Sequence, residues 1–68
     1  MIKLNFALKQ DEVIKILEEK GFTFVEKKGI QLFFNGPESD DATNAKNAKE
    51  IIKATDLGKA MFFNVEAV

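Results

Sequence analysis

Glu38, Asp40 and Asp41 place three carboxylates within four positions, and Lys27 and Lys28 stand side by side ahead of Gly29. An acidic trio could hold a hard cation, because Mg²⁺ and Ca²⁺ take oxygen ligands. Its spacing is not that of a calcium loop, which needs alternating Asp and Asn ligands, a Gly and a distal Glu. Helix capping explains the trio better, since Ser39, Asp40 and Asp41 are the residue types that accept from free N–H groups at a helix start. The lysine pair could contact phosphate, but in a turn it serves equally well as a solubilising tip. Glycines 21, 29, 36 and 58 stand alone, each with a turn or cap role, so there is no phosphate-cradling loop.

What the chain lacks narrows the chemistry further. It has no Cys, His, Trp or Tyr, and all ten of its basic residues are Lys. Without Cys there is no disulfide and no soft-metal site. Without His, a nucleophilic triad loses its usual base, and Ser39 and three Thr are left as hydroxyl nucleophiles. Without Arg there is no bidentate fork for phosphate, carboxylate or guanine. A non-enzymatic protein with no cofactor is expected. The formal net charge of −1 and pI near 5.3 supply no basic field to draw nucleic acid or an anionic membrane. Residues 1–9 are too short and too interrupted, by Lys3 and Asn5, for a signal sequence, and nowhere do about 18 apolar residues run together. A cytoplasmic protein is expected.

With 46% hydrophobic and 31% charged residues the composition is that of a globular unit, and 68 residues allow one domain, 1–68. Ile2, Leu4, Phe6 and Leu8 alternate with polar or small neighbours, which predicts a strand over 2–8. From Gln10 the period lengthens. Val13, Ile14, Ile16 and Leu17 share one side of a helix of about three turns, with Asp11 and Glu12 in its first turn and Lys20 and Gly21 at its end. Two strand-like runs, 22–26 and 30–35, flank a turn at Lys27, Lys28 and Gly29. A second helix is predicted from about Asp41 to Thr55, with a thin inner stripe of Ala45, Ala48, Ile51, Ile52 and Thr55, stopped by Leu57 and Gly58. Residues 61–68 alternate again.

The element order β-α-β-β-α-β predicts an α+β fold of the ferredoxin-like, split β-α-β kind: a four-stranded antiparallel sheet with two helices on one face. The predicted core is Ile2, Leu4, Phe6, Leu8, Val13, Leu17, Phe22, Phe24, Leu32, Phe34, Ala45, Ala48, Ile52, Phe63 and Val65. For residues 22–26 the alternation leaves the two faces exchangeable.

That architecture leaves one sheet face open. Its candidate interaction residues are Asn5, Val25, Gln31, Phe33, Asn35, Phe62 and Asn64, and the same face carries Lys3, Ala7 and Thr23. Four amides and two phenylalanines suit an interface better than a solvated surface. The expected function is a protein-interaction or regulatory module that self-associates as a homodimer or binds another protein. It would use this face or the last strand, which has no Pro and only Glu66 against edge pairing.

Two alternatives stand beside it. One is weak binding of single-stranded nucleic acid on the open face. Lys28, Gly29, Ile30, Gln31, Leu32, Phe33, Phe34 and Asn35 resemble, in their Lys-Gly start, the third-strand motif of RNA recognition modules, which stack bases on aromatics of the central strands. The likeness stops there, because the stacking positions fall on Ile30 and Leu32, assigned to the core, and the first strand has no outward aromatic. The other alternative is sensing of a small ligand at a dimer interface. Among small families of this topology, metal chaperones need a Cys pair and acylphosphatases an Arg in the loop after the first strand, and residues 7–11 have neither. Regulatory modules of the ACT type share the element order but offer no motif to match.

Overall fold

Ile2 and Leu4 alternate with Lys3 and Asn5, and the computed structural model forms them into β1 (Ile2–Asn5), with both apolar residues fully buried. The structure describes residues 1–60 and 62–68; Met61, which opens the last predicted strand, lies outside the described residues. β1 is shorter than the alternation over 2–8 predicts. Phe6 extends the pattern by one residue, buried and donating its N–H to the Ile30 carbonyl at 2.9 Å. Lys9 then takes a left-handed conformation, φ 56° and ψ 38°, immediately before α1 (Gln10–Glu19). This turn takes Leu8 out of the sheet, so it is 61% exposed and not part of the core.

α1 buries Val13 and Leu17, with Ile14 and Ile16 packed half-buried beside them. Asp11 and Glu12 meet the positive end of its dipole. No side chain caps its first turn, but the Gln10 amide donates to the carbonyls of Phe6 and Gly29, both at 2.9 Å, and ties the entry loop to the neighbouring turn. Gly21, at φ 93°, ends the helix in the left-handed conformation that its position predicts.

β2 (Thr23–Lys28) and β3 (Gln31–Asn35) form the hairpin, with the turn placed differently from expectation. Lys28 pairs with Gln31, so Gly29 and Ile30 make a two-residue turn while Lys27 and Lys28 extend β2. Gly29 supplies the positive φ (59°) that such a turn needs at its first central residue, and Ile30 is left exposed at the tip. The face ambiguity in 22–26 is resolved by a bulge. Phe24 pairs with Phe34 and Glu26 with Phe33, leaving Val25 as the extra residue. Phe22 is buried, and the half-buried Phe24 ring meets Phe34 edge-on at 5.6 Å.

α2 (Asp41–Lys53) is capped by Asp40, whose carboxylate accepts from the Ala42 N–H at 3.3 Å and the Thr43 hydroxyl at 2.8 Å. It buries Ala48, Ile52 and, unexpectedly, Asn44. The Asn44 side chain accepts from Glu38 N–H (3.0 Å) and donates to Glu38 C=O (2.9 Å), which latches the preceding loop onto the helix. Gly36 makes room for it: a Cβ there would lie 2.1 Å from Asn44 Cγ.

α2 ends earlier than predicted, and a short α3 (Asp56–Ala60) follows where a stop was expected. Thr55 makes the junction, its hydroxyl donating to Ile52 C=O at 2.6 Å and accepting from Gly58 N–H at 3.2 Å. Gly58 lies inside α3, at a position where any Cβ would fall 2.1 Å from the Ile52 carbonyl oxygen. The final strand, β4 (Asn64–Ala67), is also shorter than the alternation implied.

The four strands form one antiparallel sheet in the order β2-β3-β1-β4, so the class is α+β. Val13 and Leu17 of α1 and Ala48 and Ile52 of α2 share one cluster with Ile2, Leu4, Leu32 and Phe34, which puts both helices on the same face. Phe24, Ala45, Phe63 and Val65 border that cluster half-buried.

Candidate functional site

The register lays the open face out in rows. Asn64, Asn5, Gln31 and Lys28 lie side by side across the four strands, and Glu66, Lys3, Phe33 and Glu26 form the next row. Thr23 and Asn35 pair in a third. The period of two thus brings together Asn5, Gln31 and Asn64, with Phe33 and Asn35 one and two rows away. Val25, the bulge residue, sits exposed between Phe24 and Glu26.

Charge closes much of this face. Lys3 Nζ lies 3.7 Å from Glu66, and Lys28 Nζ lies 3.9 Å from Glu26 and 5.7 Å from the centre of the Phe33 ring. Phe33 is half-buried beneath that ammonium. Exposed ion pairs contribute about 0 to 1 kcal/mol and an exposed cation–π contact about 0.5 to 1 kcal/mol, so the cover is light, but it is made of the chain's own side chains. In the amide row Asn64 donates to Glu66 at 2.8 Å, while Asn5 Oδ1 is buried with no hydrogen-bond partner.

Phe62 lies beyond the strand, at the end of the face beside Asn5 and Asn64. It precedes β4 and is fully exposed at 104%, while its neighbour Phe63 turns inward and packs against Phe6 with ring centres 5.7 Å apart. Phe62 shares a shallow cavity of about 360 Å³ with Ala7 and Ile30, at the end of the sheet where the Gly29–Ile30 turn meets the entry loop of α1. Exposed Leu8 belongs to that same loop. Ile30 and Leu8 were both missed as surface residues, because each continues an apolar alternation that only the turn geometry interrupts.

The sheet has two free edges of different character. β2 runs six residues, bulges at Val25 and carries Glu26, Lys27 and Lys28; β4 runs four residues with Glu66 as its one charge. Val68 N–H donates to Met1 C=O at 2.9 Å, which sets the phase of the β1–β4 ladder. Bonded and unbonded pairs alternate in an antiparallel ladder, so Glu66 and Asn64 bond to β1 while Val65 and Ala67 direct their N–H and C=O groups off the sheet. Among the described residues no strand meets them.

The acidic trio is engaged in structure. Asp40 is the cap of α2, and the Thr43 hydroxyl, then the Ala42 N–H, hold its carboxyl below the usual carboxylate range. Asp41 is also lowered, first by the Met1 ammonium that it accepts from and then by the Asn44 amide. Among the described residues no group of three or more acidic side chains is placed to hold a metal ion, and no helix is long and apolar enough to cross a membrane. No protein-family model matches the chain, and no characterised protein or solved structure is significantly similar to it.

Proposed function

We propose that the chain is a non-enzymatic interaction module of the ferredoxin-like kind, which pairs with a second copy of itself through the free edge of β4. The strand order and the two helices on one sheet face support the fold reading. The observation that carries the function is the contrast in edge protection. β4 offers the outward N–H and C=O groups of Val65 and Ala67, with no bulge and one charge, and fully exposed Phe62 stands two residues before its start.

The pleat restricts how two such edges can meet, because opposed residues must lie on the same sheet face. A two-fold axis at Val65 opposes Asn64 to Glu66 and Phe62 to Val68, the latter two being exposed apolar residues. An axis at Glu66 would oppose two carboxylates. The first arrangement is therefore favoured, and it is isologous and closed. The absence of Cys, His and Arg supports a binding rather than a catalytic role. Nucleic-acid binding on the open face is less well supported, since Lys28 covers the Phe33 ring and Phe62 lies off the strand.

Ala67→Pro tests this directly, because it removes an N–H that points away from β1 and leaves the internal ladder intact. Light scattering over a concentration series should give twice the monomer mass for the native chain and the monomer mass for Ala67→Pro, with unchanged circular dichroism. A native chain that stays monomeric, or an Ala67→Pro chain that still pairs, refutes the proposal.

A further inference from the structure

We propose that the cleft bounded by the end of α2, α3 and the Phe62–Phe63 segment binds an organic anion with a planar apolar body. The cleft encloses about 360 Å³ and is lined by Lys49 and Lys53 of α2, Lys59 of α3, Gly58, Phe62 and Phe63 among others. That volume falls in the range of small-molecule sites, about 300 to 1,000 Å³, and suits a ring system with one anionic group.

Charge makes the stronger case. The chain carries 11 acidic residues against 10 lysines, yet among the described residues no acidic side chain lines this cleft. Lys49, Lys53 and Lys59 are among the lysines that form no ion pair among the described residues, so no carboxylate neutralises them. Lys49 and Lys53 stand one turn apart on the same helix face, where like charges repel. Lys53 lies in the last turn of α2, where the helix dipole favours a cation; Lys49 lies outside that turn and gains little from it. A bound anion would relieve the repulsion among all three.

The apolar half of the site is equally specific. Phe63 is anchored against Phe6, and Phe62 stands fully exposed beside it, an aromatic wall next to three ammonium groups. Such an arrangement takes a planar ring against Phe62 and a head group between the lysines. Lysine presents a point charge with no fixed fork, so carboxylate, sulfonate and phosphate ester heads are all accommodated. Phe62 also flanks the β4 edge, so a monomeric chain presents this wall uncovered.

Amide NMR titration of the full chain with naphthalene sulfonate tests the proposal, with naphthalene methanol and inorganic phosphate as the neutral-ring and ring-free probes. Naphthyl phosphate and naphthoate compare head groups. Saturable shifts should centre on residues 49–63 for all three ring-bearing anions. Lys49→Glu with Lys53→Glu should weaken naphthalene sulfonate about tenfold, equivalent to about 1.4 kcal/mol. Ala67→Pro, which leaves Phe62 uncovered, should bind it at least as tightly as the native chain does, which separates this site from the β4 edge, and loss of binding in that variant would overturn the proposal. If the charge-reversed chain does not fold, Phe62→Ala replaces it, since that side chain supports nothing in the core, and should weaken binding similarly. Equal binding of naphthalene methanol, equal binding of inorganic phosphate, or shifts centred elsewhere would each overturn the proposal.

Discussion

The chain makes the same kind of connection twice, from β1 through α1 to β2 and from β3 through α2 to β4. The two crossovers hold their helices down by different means and leave different edges behind. In the first, α1 presents Val13 and Leu17 to the core with Ile14 and Ile16 beside them, and apolar bulk does most of the anchoring. In the second, the inner stripe of α2 is thinned by Ala45 and Ala48, and polar fastenings compensate: the Asp40 cap, the Asn44 latch and the Thr55 junction. The edges follow the opposite trend. The apolar crossover ends in β2, bulged and charged, while the polar one ends in β4, short and nearly bare. Where the helix is fixed by few large side chains, the strand after it is flanked by exposed apolar residues, Phe62 and Val68, that pairing could cover.

The contrast in anchoring predicts unequal costs for the two amide latches. Asn44 is fully buried and both accepts from and donates to Glu38, whereas Gln10 is half-buried and only donates, to Phe6 and Gly29. Asn44→Ala is expected to destabilise by about 2 to 3 kcal/mol, since both bonds to Glu38, a longer one to Asp41 and the packing around Gly36 are lost together. Gln10→Ala should cost about 1 kcal/mol, because water can replace its partners. Denaturant unfolding of both variants measures the difference. Equal costs would mean that the second crossover is no more dependent on polar fastening than the first.

Much of this architecture is legible from periodicity. Every apolar residue of the buried cluster belongs to an alternating or helical stripe, and the amide row Asn5, Gln31, Asn64 follows from the period of two. What periodicity misses is set by contacts between distant parts of the chain. Leu8 continues the alternation of β1, but the left-handed Lys9 takes it out of the sheet. Val25 becomes a bulge through its partner strand, and a bulge has no compositional mark. Asn44 lies four and eight residues before Ala48 and Ile52, on the buried stripe, yet a polar residue is assigned to solvent until its partner, the Glu38 backbone, is known. Gly58 looks like a helix stop and is instead a close-approach residue against Ile52, so α3 and the lysine cleft beside it stay hidden. The repeated lysine spacing at 49 and 53 is the one sequence signal that could have pointed there.

The edges differ most simply in the bulge, and deleting Val25 would remove it. The remaining register is already regular: Phe24 stays opposite Phe34 and Glu26 opposite Phe33. The β2 edge would then become straight and pairable, protected by Glu26, Lys27 and Lys28 alone. Combined with Ala67→Pro, which closes the β4 edge, the deletion should restore concentration-dependent association in light scattering. Higher salt should strengthen it by screening the charges that remain on β2. Association that appears only at high salt would show that charge, and not the bulge, protects β2, and a doubly altered chain that remains monomeric at all salt concentrations would show that removing the bulge does not make β2 pairable.

The smallest expected effect distinguishes the two helix starts. Asp40 caps α2 with an ionised carboxylate held below its ordinary value of 3.8 by the Thr43 hydroxyl and the Ala42 N–H, whereas α1 begins at Lys9 with no side-chain cap. A carboxyl whose folded pKa is depressed adds stability above its unfolded pKa and loses it as pH falls through the folded value. The cap's contribution is therefore full at neutral pH and fades in the acid range below about pH 4. Asp40→Asn keeps a capping oxygen without the titration, so its melting temperature should match the native chain near neutrality and fall less steeply on acidification. Asp41, lowered by the Met1 ammonium and Asn44, should leave a residual acid dependence in both. Superimposable melting curves across the acid range would remove the Asp40 charge from the account of α2 and leave its fastening to Asn44 and Thr55.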